Sequence, residues 1–391
     1  MRILQITPYY LPHTGGIERY VYNLSKYLVK NGHQVEIHTS NIPKAPNYEE
    51  IDGIVIRRFQ SLCSPLRNPM VPRFFFPSLT ELQDFDLIHA HMIYSSAALY
   101  AIKLKRSLGI PLLFTHHGRM RFENLLGDSI VKMYERIVIP KVLSEADVVV
   151  ALSQEDLEFL GEFGDRNNIT IIPNGLDTET IEMSLLQSNN ASHDTYKFQK
   201  NILFVGRLVP IKGTEYLLKS IKIISQDLRN YGVRIIIIGD GPQLLELKQF
   251  VFNNKIDDLV TFTGQITETQ KLIDYYQKSQ IIVIPSISEG FPSTVLEAMY
   301  FGVPIISTDL LVMRQYFSDA VILVPPKDPE RLGNAILTLV QNPDFCEKLS
   351  KIGKETVLNE FRWDKLIYRF LAEYDILLSK SSNTMHYSFK M

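Results

Sequence analysis

Cysteine and tryptophan are both scarce in this sequence. Its 391 residues include two cysteines, Cys63 and Cys346, and a single tryptophan, Trp363. Cysteines that are this few and this far apart in the sequence do not suggest a disulfide framework, which predicts a reducing compartment. A cytoplasmic location is therefore expected.

The sequence also lacks a charge excess and long apolar runs. Its net charge of −2 gives no general attraction to nucleic acid or to anionic membranes. No uninterrupted apolar run approaches the ~20 residues of a membrane span. The first residues, up to Ile6, already resemble a strand, so no signal peptide is expected. The composition, 45% hydrophobic and 21% charged, is typical of a soluble globular protein, and the length suggests two domains.

Two common ligand motifs are missing. The fingerprint G-x-G-x-x-G does not occur, and the nearest segment, GDGP at Gly239–Pro242, lacks the third glycine, which excludes an NAD oxidoreductase. His89, His91 and His117 lie at or near predicted strand ends, but no third ligand recurs at zinc spacing. Each of these histidines could be structural, or could face a ligand at the carboxyl ends of the strands.

Alternating strands and helices are present in both halves of the sequence. RILQIT, VEIHTS and DLIHAH in the first half, and NILFVG, VRIIIIGDG and VTFTGQI in the second, are strand patterns separated by helical ones. Such alternation predicts an α/β protein with parallel sheets covered on both faces. We expect a domain at residues 1–177, a second at 178–362 that begins with a polar connecting stretch, and a last helix at 363–380.

The stretch from Ile281 to Pro304, IIVIPSISEGFPSTVLEAMYFGVP, predicts a strand, a glycine loop and a helix that Ser293 or Thr294 could cap. Free N–H groups at the helix start would favour an anion there. Glu289 and Glu297 flank this site. Their spacing makes a paired hydrolytic role improbable, since glycosidase carboxylates lie ~5–9.5 Å apart. They are either two separate ligand contacts or an ordinary loop residue and a solvated helix residue.

Two other segments could contact phosphate. Arg207 and Lys212 follow a predicted strand in GRLVPIKG, and a guanidinium with an ammonium group suits a diphosphate. Gly15 and Gly16 precede the first helix and would allow close approach of a phosphate, or would form an ordinary tight turn. No acidic metal site is convincing, because the Asp84 and Asp86 pair precedes its strand and so lies at the opposite end of the sheet.

SEGFPSTVLEAMYFGVPIISTD resembles the E-x7-E signature of the retaining glycosyltransferases of family 4 (GT4). GRLVPIKG resembles the Arg–Lys motif of that family, and TGGIERYVYNLSKYL resembles its opening. The resemblance covers roughly residues 1–375, with a gap in two variable loops, about 41–78 and 119–135. It implies the GT-B fold: two Rossmann-like domains whose parallel sheets face each other across a cleft, with a hinge near Asn174 and Gly175 and a last helix that returns to the first domain.

The resemblance also implies roles for individual residues. The catalytic positions would be His117, with His116 one register away, Arg207, Lys212 and Glu289. The donor-binding positions would be Gly16, Gly206, Ile266, Gly290, Phe291, Pro292, Ser293, Thr294 and Glu297. Glu289 would contact the donor sugar, Glu297 the ribose, and Ile266 the base, with no metal and no other cofactor.

The implied activity is transfer of a sugar from a nucleotide diphosphate donor to an acceptor hydroxyl with retention of the α configuration. The acceptor would be a glycan, a lipid-linked sugar or a small molecule, and no nucleic acid partner is expected. A sugar-nucleotide epimerase of the same fold and a non-catalytic nucleotide-sugar binder are the alternatives. Arg73, the aromatic run Phe74–Phe76 and cations such as Arg106, Arg119, Arg121, Lys132 and Arg136 allow peripheral contact with the inner face of a membrane, or are core aromatics and solvated cations.

Overall fold

Two sheets form the framework of the protein. The structure, a computed structural model, describes residues 1–13, 15–65, 68–120, 125–188 and 200–388. The chain divides into two units: unit 1 is Met1–Gly175 with Trp363–Met391, and unit 2 is Leu176–Arg362. The sequence-based boundary at residue 177 thus falls two residues past the one in the structure. Arg121 and the middle of the predicted connecting stretch lie outside the described residues.

Unit 1 is built on an eight-stranded sheet in the order β3-β4-β2-β1-β5-β6-β7-β8, parallel except for the antiparallel pair β3–β4. Its elements, in chain order, are β1 (Arg2–Ile6), α1 (Gly16–Lys30), β2 (Gln34–Ser40), β3 (Tyr48–Ile51), β4 (Ile54–Phe59), α2 (Pro72–Phe75), β5 (Leu87–His91), α3 (Ser96–Leu108), β6 (Leu112–Thr115), α4 (Leu125–Glu145), β7 (Val148–Ala151), α5 (Gln154–Leu160) and β8 (Ile169–Ile171). The central strands β5, β6 and β7 are buried along their whole length, because helices cover both faces of a parallel sheet.

Unit 2 is built on a six-stranded parallel sheet in the order β11-β10-β9-β12-β13-β14. Its elements are α6 (Thr178–Ser188), β9 (Asn201–Val205), α7 (Thr214–Ile223), α8 (Ser225–Tyr231), β10 (Arg234–Ile238), α9 (Leu244–Asn253), β11 (Val260–Gly264), α10 (Thr269–Gln277), β12 (Ser279–Ile284), α11 (Ser293–Tyr300), β13 (Ile305–Thr308), α12 (Leu311–Phe317), β14 (Val321–Val324), α13 (Pro329–Gln341) and α14 (Pro343–Glu360).

The strand order of unit 2 is that of a Rossmann fold. The chain winds outward from β9 to β11, then returns to the middle of the sheet as β12, which pairs with β9. In open sheets of this kind, ligands bind outside the carboxyl ends of the strands where the winding direction reverses. The loops after β9 and β12 are therefore the part of unit 2 best placed for a ligand.

A last helix, α15 (Trp363–Ser388), belongs to unit 1 although it follows unit 2 in the sequence. The indole of Trp363 is fully buried and packs edge-on against the ring of Tyr20 on α1, with centroids 5.1 Å apart. A Cβ on Gly175 would lie 3.1 Å from the same indole, so the end of the first segment packs closely on this helix.

The side chain of Ser153 caps α5, because its hydroxyl accepts a hydrogen bond from the backbone N–H of Asp156. The side-chain cap predicted for α11 is absent, so that prediction is wrong. Pro292 occupies the N-cap position of α11 and Ser293 is already its first helical residue, so neither Ser293 nor Thr294 provides a side-chain cap.

Candidate active site

The best-defined candidate site lies at the switch point of the sheet in unit 2. Gly206 and Arg207 come directly after β9, and a turn of 3-10 helix brings Lys212 back towards the sheet. Glu289 lies in the loop after β12, the neighbour of β9. The backbone N–H of Ile287 donates to the carbonyl of Ile211 at 2.8 Å, which joins the two loops. Segments almost eighty residues apart in the sequence therefore form one surface.

Lys212 and Glu289 form an ion pair within this surface. The ammonium of Lys212 lies 2.6 Å from Oε1 of Glu289, and the Ser286 hydroxyl donates to the same oxygen at 2.6 Å. The Glu289 side chain is 9% exposed and that of Lys212 is 26% exposed. Because both contacts use Oε1, the second carboxylate oxygen of Glu289 remains able to accept a hydrogen bond from a ligand.

Arg207 differs from Lys212 in that its side chain has no partner among the described residues. Its side chain is exposed, and among the residues that the structure describes it forms no hydrogen bond or ion pair. The guanidinium has five N–H donors at the end of a strand, so it can bind an oxyanion without first breaking a contact within the protein. Arg207 and Lys212 are both predicted to bind the diphosphate. Before a ligand binds, however, Lys212 is paired with Glu289, whereas Arg207 has no partner among the described residues.

Tight backbone packing fixes the loops around these cations. A Cβ on Gly239, which has φ +146°, would come within 1.8 Å of the Gly206 carbonyl oxygen. A Cβ on Gly241 would come within 2.4 Å of the carbonyl oxygen of Leu208. Side chains at these glycines would push the loop after β10 away from the loop after β9. The GDGP segment, which failed as a dinucleotide fingerprint, thus supports the loop of Arg207.

Glu297 is buried on α11 and faces a specific partner. The Tyr276 hydroxyl at the end of α10 donates to Oε2 of Glu297 at 2.6 Å, and the Tyr276 ring stacks on Phe301. A buried carboxylate held by a phenol has a defined orientation, which a solvated helix residue would not need. Tyr276 could not be predicted from the sequence, since no motif marks a tyrosine twenty-one residues before the glutamate that it contacts.

The other donor-binding positions are divided between surface and core. Gly290, Ser293 and Thr294 are half-buried at the start of α11, where the first N–H groups of the helix are free of helical partners. Pro292 is buried. The ring of Phe291 packs against Phe317, Tyr316 and Phe361. Phe291 therefore anchors the loop with its side chain and could offer a donor only its backbone. Ile266 is half-buried beyond β11 and packs on the core of unit 2.

Unit 1 holds the remaining predicted residues at the carboxyl ends of its own central strands. Gly16 is the first residue of α1, and a Cβ built on it would meet no atom within 4 Å, so open space adjoins it. At Gly15, in contrast, a Cβ would lie 2.3 Å from the carboxylate of Glu18. Glu18 is buried and pairs with His13 at 3.0 Å. Space for a ligand thus adjoins the second glycine rather than the first.

His117 follows β6 and is half-buried. Its Nε2 lies 3.2 Å from Nδ1 of His91, the last residue of β5, and its ring packs edge-on against Tyr20. Burial and the neighbouring His91 and His116 hold the pKa of His117 well below 6.5. His117 is therefore neutral at physiological pH and can act as a hydrogen-bonding group but not as a standing positive charge.

His89 and His116 prove to be buried inside the unit. His89 is bound on both ring nitrogens, by the Tyr374 hydroxyl and the Thr115 hydroxyl, each at 2.7 Å. His116 is fully buried, 3.7 Å from the carboxylate of Asp156, and burial lowers its pKa to about 3. Burial likewise raises the pKa of Asp156 to about 7. His89 therefore has structural surroundings, one of the two possibilities left open for it. His116, named only as the position one register from His117, also lies in the core.

Asp84 and Asp86 are engaged at the far end of the sheet in unit 1. The Asp86 carboxylate accepts the backbone N–H of Arg2 at 2.7 Å, and Asp84 contacts the Arg2 guanidinium. In the parts of the chain that the structure describes, no group of three His, Cys, Asp or Glu residues could hold a metal ion. Across the same residues, no helix is both long enough and apolar enough to cross a membrane.

Comparison with known proteins accounts for both halves of the chain. Residues 14–180 match the family described as Glycosyltransferase Family 4, and residues 187–356 match Glycosyl transferases group 1. The chain is a family 4 glycosyltransferase. The predicted family and enzyme class are thereby confirmed.

Relatives of known sequence and structure agree with this assignment. Alpha-monoglucosyldiacylglycerol synthase of Streptococcus pneumoniae is 25% identical over 94% of this chain and 86% of its own length. Sucrose-phosphate synthase of Thermosynechococcus elongatus superposes with a TM-score of 0.78 at 23% identity, covering 97% of this chain and 99% of that one. Anabaena HepE, solved with UDP and glucose, superposes with a TM-score of 0.75 at 16% identity, covering 96% and 100%. The predicted GT-B fold is confirmed.

Proposed function

We propose that this glycosyltransferase moves a sugar from a nucleotide diphosphate donor to an acceptor hydroxyl, with retention of configuration and without a metal ion. The observation that carries the proposal is the arrangement of Arg207, Lys212 and Glu289 at the switch point of unit 2. Two cations beside a carboxylate match a donor that has a diphosphate next to a sugar. The related HepE has been solved with UDP and glucose, which supports a nucleotide donor.

The chemistry explains why these groups suffice. As the bond between sugar and phosphate breaks, negative charge develops on the leaving diphosphate, and fixed cations and N–H dipoles stabilise it. Within the described part of the chain, the Arg207 side chain has no partner to release. Lys212 can turn from Glu289 towards the phosphate, since its side chain is 26% exposed. When attack and departure occur on the same face of the sugar, the leaving phosphate oxygen accepts the proton of the acceptor hydroxyl, and the protein need not supply a base.

Glu289 and Glu297 have different places in this scheme. Glu289 stands beside Lys212 in the loop, so it would bind hydroxyls of the sugar with its second oxygen. Glu297 is buried on α11, where the Tyr276 hydroxyl orients its carboxylate, and it would bind the ribose hydroxyls. Carboxylates at both places require hydroxyl donors, which a nucleotide sugar provides and a simple phosphate does not.

Product analysis tests the reaction. With a panel of nucleotide sugars and candidate acceptors, we expect free nucleoside diphosphate to appear with the glycosylated product, and the anomeric signal of that product to show retention. Activity should survive EDTA. Loss of turnover on chelation with recovery on adding Mn²⁺ would contradict metal independence. Conversion of the donor sugar without an acceptor would indicate an epimerase, and binding without turnover a silent binder.

We further propose that unit 1 contacts an anionic membrane surface through the outward face of α4. Ile130, Met133 and Ile137 recur at helical spacing on this helix and are 38%, 60% and 64% exposed. Lys132 and Arg136, both exposed, alternate with them. A helix face with apolar residues and cations is suited to the boundary between lipid headgroups and acyl chains.

The same face continues into a hollow of about 410 Å³ between α2, α3 and α4, whose lining includes Phe74, Phe75, Ile102, Lys103, Arg106 and Lys141. Phe76 at its edge is 77% exposed, with the Lys103 ammonium 5.6 Å from its ring centroid. Phe74, by contrast, is buried against Tyr100, so the predicted aromatic run is only partly at the surface. Glu145 nearby is neutralised by Arg106.

Co-sedimentation with vesicles tests this contact. We expect the protein to pellet with vesicles rich in phosphatidylglycerol and to stay in solution with phosphatidylcholine alone. Replacing Met133 and Ile137 with Gln should abolish pelleting. A matched control on α9 replaces Leu245 and Phe252, which are 75% and 74% exposed, with Gln, and should pellet normally. Equal recovery of wild-type protein in the supernatant with and without anionic lipid would exclude this surface.

A further inference from the structure

A row of three hydrogen-bonded side chains leads from the core of unit 1 to His117. The side-chain oxygen of Gln5 on β1 lies 2.6 Å from Nε2 of His91. Nδ1 of His91 lies 3.2 Å from Nε2 of His117. Gln5 and His91 are both fully buried, whereas His117 is half-buried at the end of the row. Each contact has hydrogen-bond length, so each needs one donor and one acceptor.

The chemistry of the first group determines the rest. The amide oxygen of Gln5 can only accept, so Nε2 of His91 must carry the hydrogen. A neutral imidazole has one N–H, which makes Nδ1 of His91 an acceptor and Nε2 of His117 the donor to it. We propose that Gln5, acting through His91, fixes His117 as the tautomer with hydrogen on Nε2 and an unprotonated Nδ1.

Two features of the surroundings support this direction. Burial, followed by the effect of the neighbouring His89, holds the pKa of His91 well below 6.5, which keeps the His91 imidazole neutral. Burial raises the pKa of the Tyr374 phenol, and the Gln5 side chain, which lies close to it, partly opposes that effect. The buried nitrogen of the Gln5 amide has no hydrogen-bond partner among the described residues. Tyr374 is already bound to Nδ1 of His89. The reversed amide would place a donor against His91 and an acceptor near Tyr374.

The consequence concerns what His117 can recognise. With Nε2 committed to His91, the ring presents Nδ1, which accepts hydrogen bonds and donates none. Such a group favours a hydroxyl and disfavours a carbonyl or phosphate oxygen. If the proposed sugar transfer is correct, His117 would select a substrate hydroxyl. The tautomer assignment itself does not depend on which reaction the enzyme catalyses.

Nuclear magnetic resonance of protein labelled with [¹⁵N]histidine tests the assignment at neutral pH. In long-range ¹H–¹⁵N spectra, with the His117 signals assigned by their loss in His117→Gln, we expect one protonated nitrogen, Nε2, and one unprotonated nitrogen, Nδ1, for both His91 and His117. Hydrogen on Nδ1 of His117, or an imidazolium, would overturn the proposal. Because this measurement uses the unaltered protein, it holds even if variants of Gln5 fail to fold.

Substitution of Gln5 then tests what sets the tautomer. Gln5→Met removes the acceptor at similar volume, so we expect a second set of His117 signals, from the tautomer with hydrogen on Nδ1. A matched control is Glu36→Gln on β2, which changes a different buried histidine contact, that of His38 at 2.9 Å, and should leave the His117 signals unchanged. An unaltered single tautomer in Gln5→Met would show that Gln5 does not set it. These spectra decide the proposal whether or not sugar transfer is observed.

Discussion

Lys212 is paired with Glu289 in the free protein, and among the described residues Arg207 has no partner. Substituting the two residues should therefore affect stability differently. Both cations should stabilise the leaving diphosphate, so Arg207→Ala and Lys212→Met should each reduce kcat by an amount equivalent to ~2–4 kcal/mol, as removal of an oxyanion donor does. Only Lys212 also holds Glu289 in the free protein. Only its substitution should therefore destabilise unit 2. Methionine at 212 keeps the apolar stem, so the change isolates the charge.

The stability loss follows from the burial of the pair. Breaking a buried ion pair costs ~3–5 kcal/mol, and an exposed pair is worth ~0–1 kcal/mol. Lys212 is 26% exposed and Glu289 is 9% exposed, which places this pair between the two limits. We expect a loss of about 2 kcal/mol, which corresponds to a fall in melting temperature of about 4–8 °C for a unit of this size.

Thermal unfolding of the two variants without ligand is the assay. Arg207→Ala should melt within about 2 °C of wild type, because substitution of an exposed side chain without partners usually changes stability by less than about 0.5 kcal/mol. Adding Glu289→Gln to Lys212→Met should restore part of the lost stability, since the unpaired carboxylate is then removed. Equal melting temperatures for Arg207→Ala and Lys212→Met would refute the assignment of a stabilising pair to Lys212 and Glu289.

Two other predictions concern carboxylates. Glu297→Gln should mainly raise KM for the donor and weaken inhibition by the free nucleoside diphosphate, because a ribose contact is equally strong in the ground state and the transition state. Glu289→Gln should mainly lower kcat and leave inhibition by the nucleoside diphosphate nearly unchanged. If both weaken the inhibitor alike, the carboxylates do not have separate roles. The raised pKa of Asp156, about 7, means that its contribution to stability is present at low pH and is lost as pH rises from about 4 to about 7. The free energy of unfolding of wild type relative to Asp156→Asn should therefore fall by about 2.5 kcal/mol between pH 5 and pH 8. The contribution of His116 to the pH dependence of stability has the opposite sign and is common to both proteins. If chemical denaturation of wild type and Asp156→Asn gives parallel pH profiles of stability, Asp156 does not have a raised pKa.

The positions of the main site residues could be predicted because they depend on backbone patterns. Arg207 and Glu289 each follow a strongly apolar strand, and the strands of a doubly wound sheet bring their carboxyl ends to one edge. The helix start after Gly290 was equally visible in the sequence. What the sequence showed was therefore which segments meet and at which end of the sheet.

The side-chain contacts at the site could not be predicted in the same way. The pairing of Lys212 with Glu289, and of Tyr276 with Glu297, depends on rotamers and strand order that no local pattern encodes. The supporting role of Gly239 was missed for a similar reason, since its close approach to Gly206 exists only once β9 and β10 are neighbours. Phe291 lies within the motif that was predicted to bind the donor, but its ring packs in the core against Phe317.

The return of α15 to unit 1 has a consequence for the order in which the protein can fold during synthesis. Residues 1–175 leave the ribosome first, but the pocket formed by Tyr20 and Gly175 stays unfilled until Trp363 has been made. Unit 2 is continuous in sequence, so it can complete its sheet before then, since domains tend to fold as units while the chain is still growing. The half of the enzyme that is started first is thus the half that is finished last, and a nascent chain stalled before residue 363 would expose apolar surface on α1.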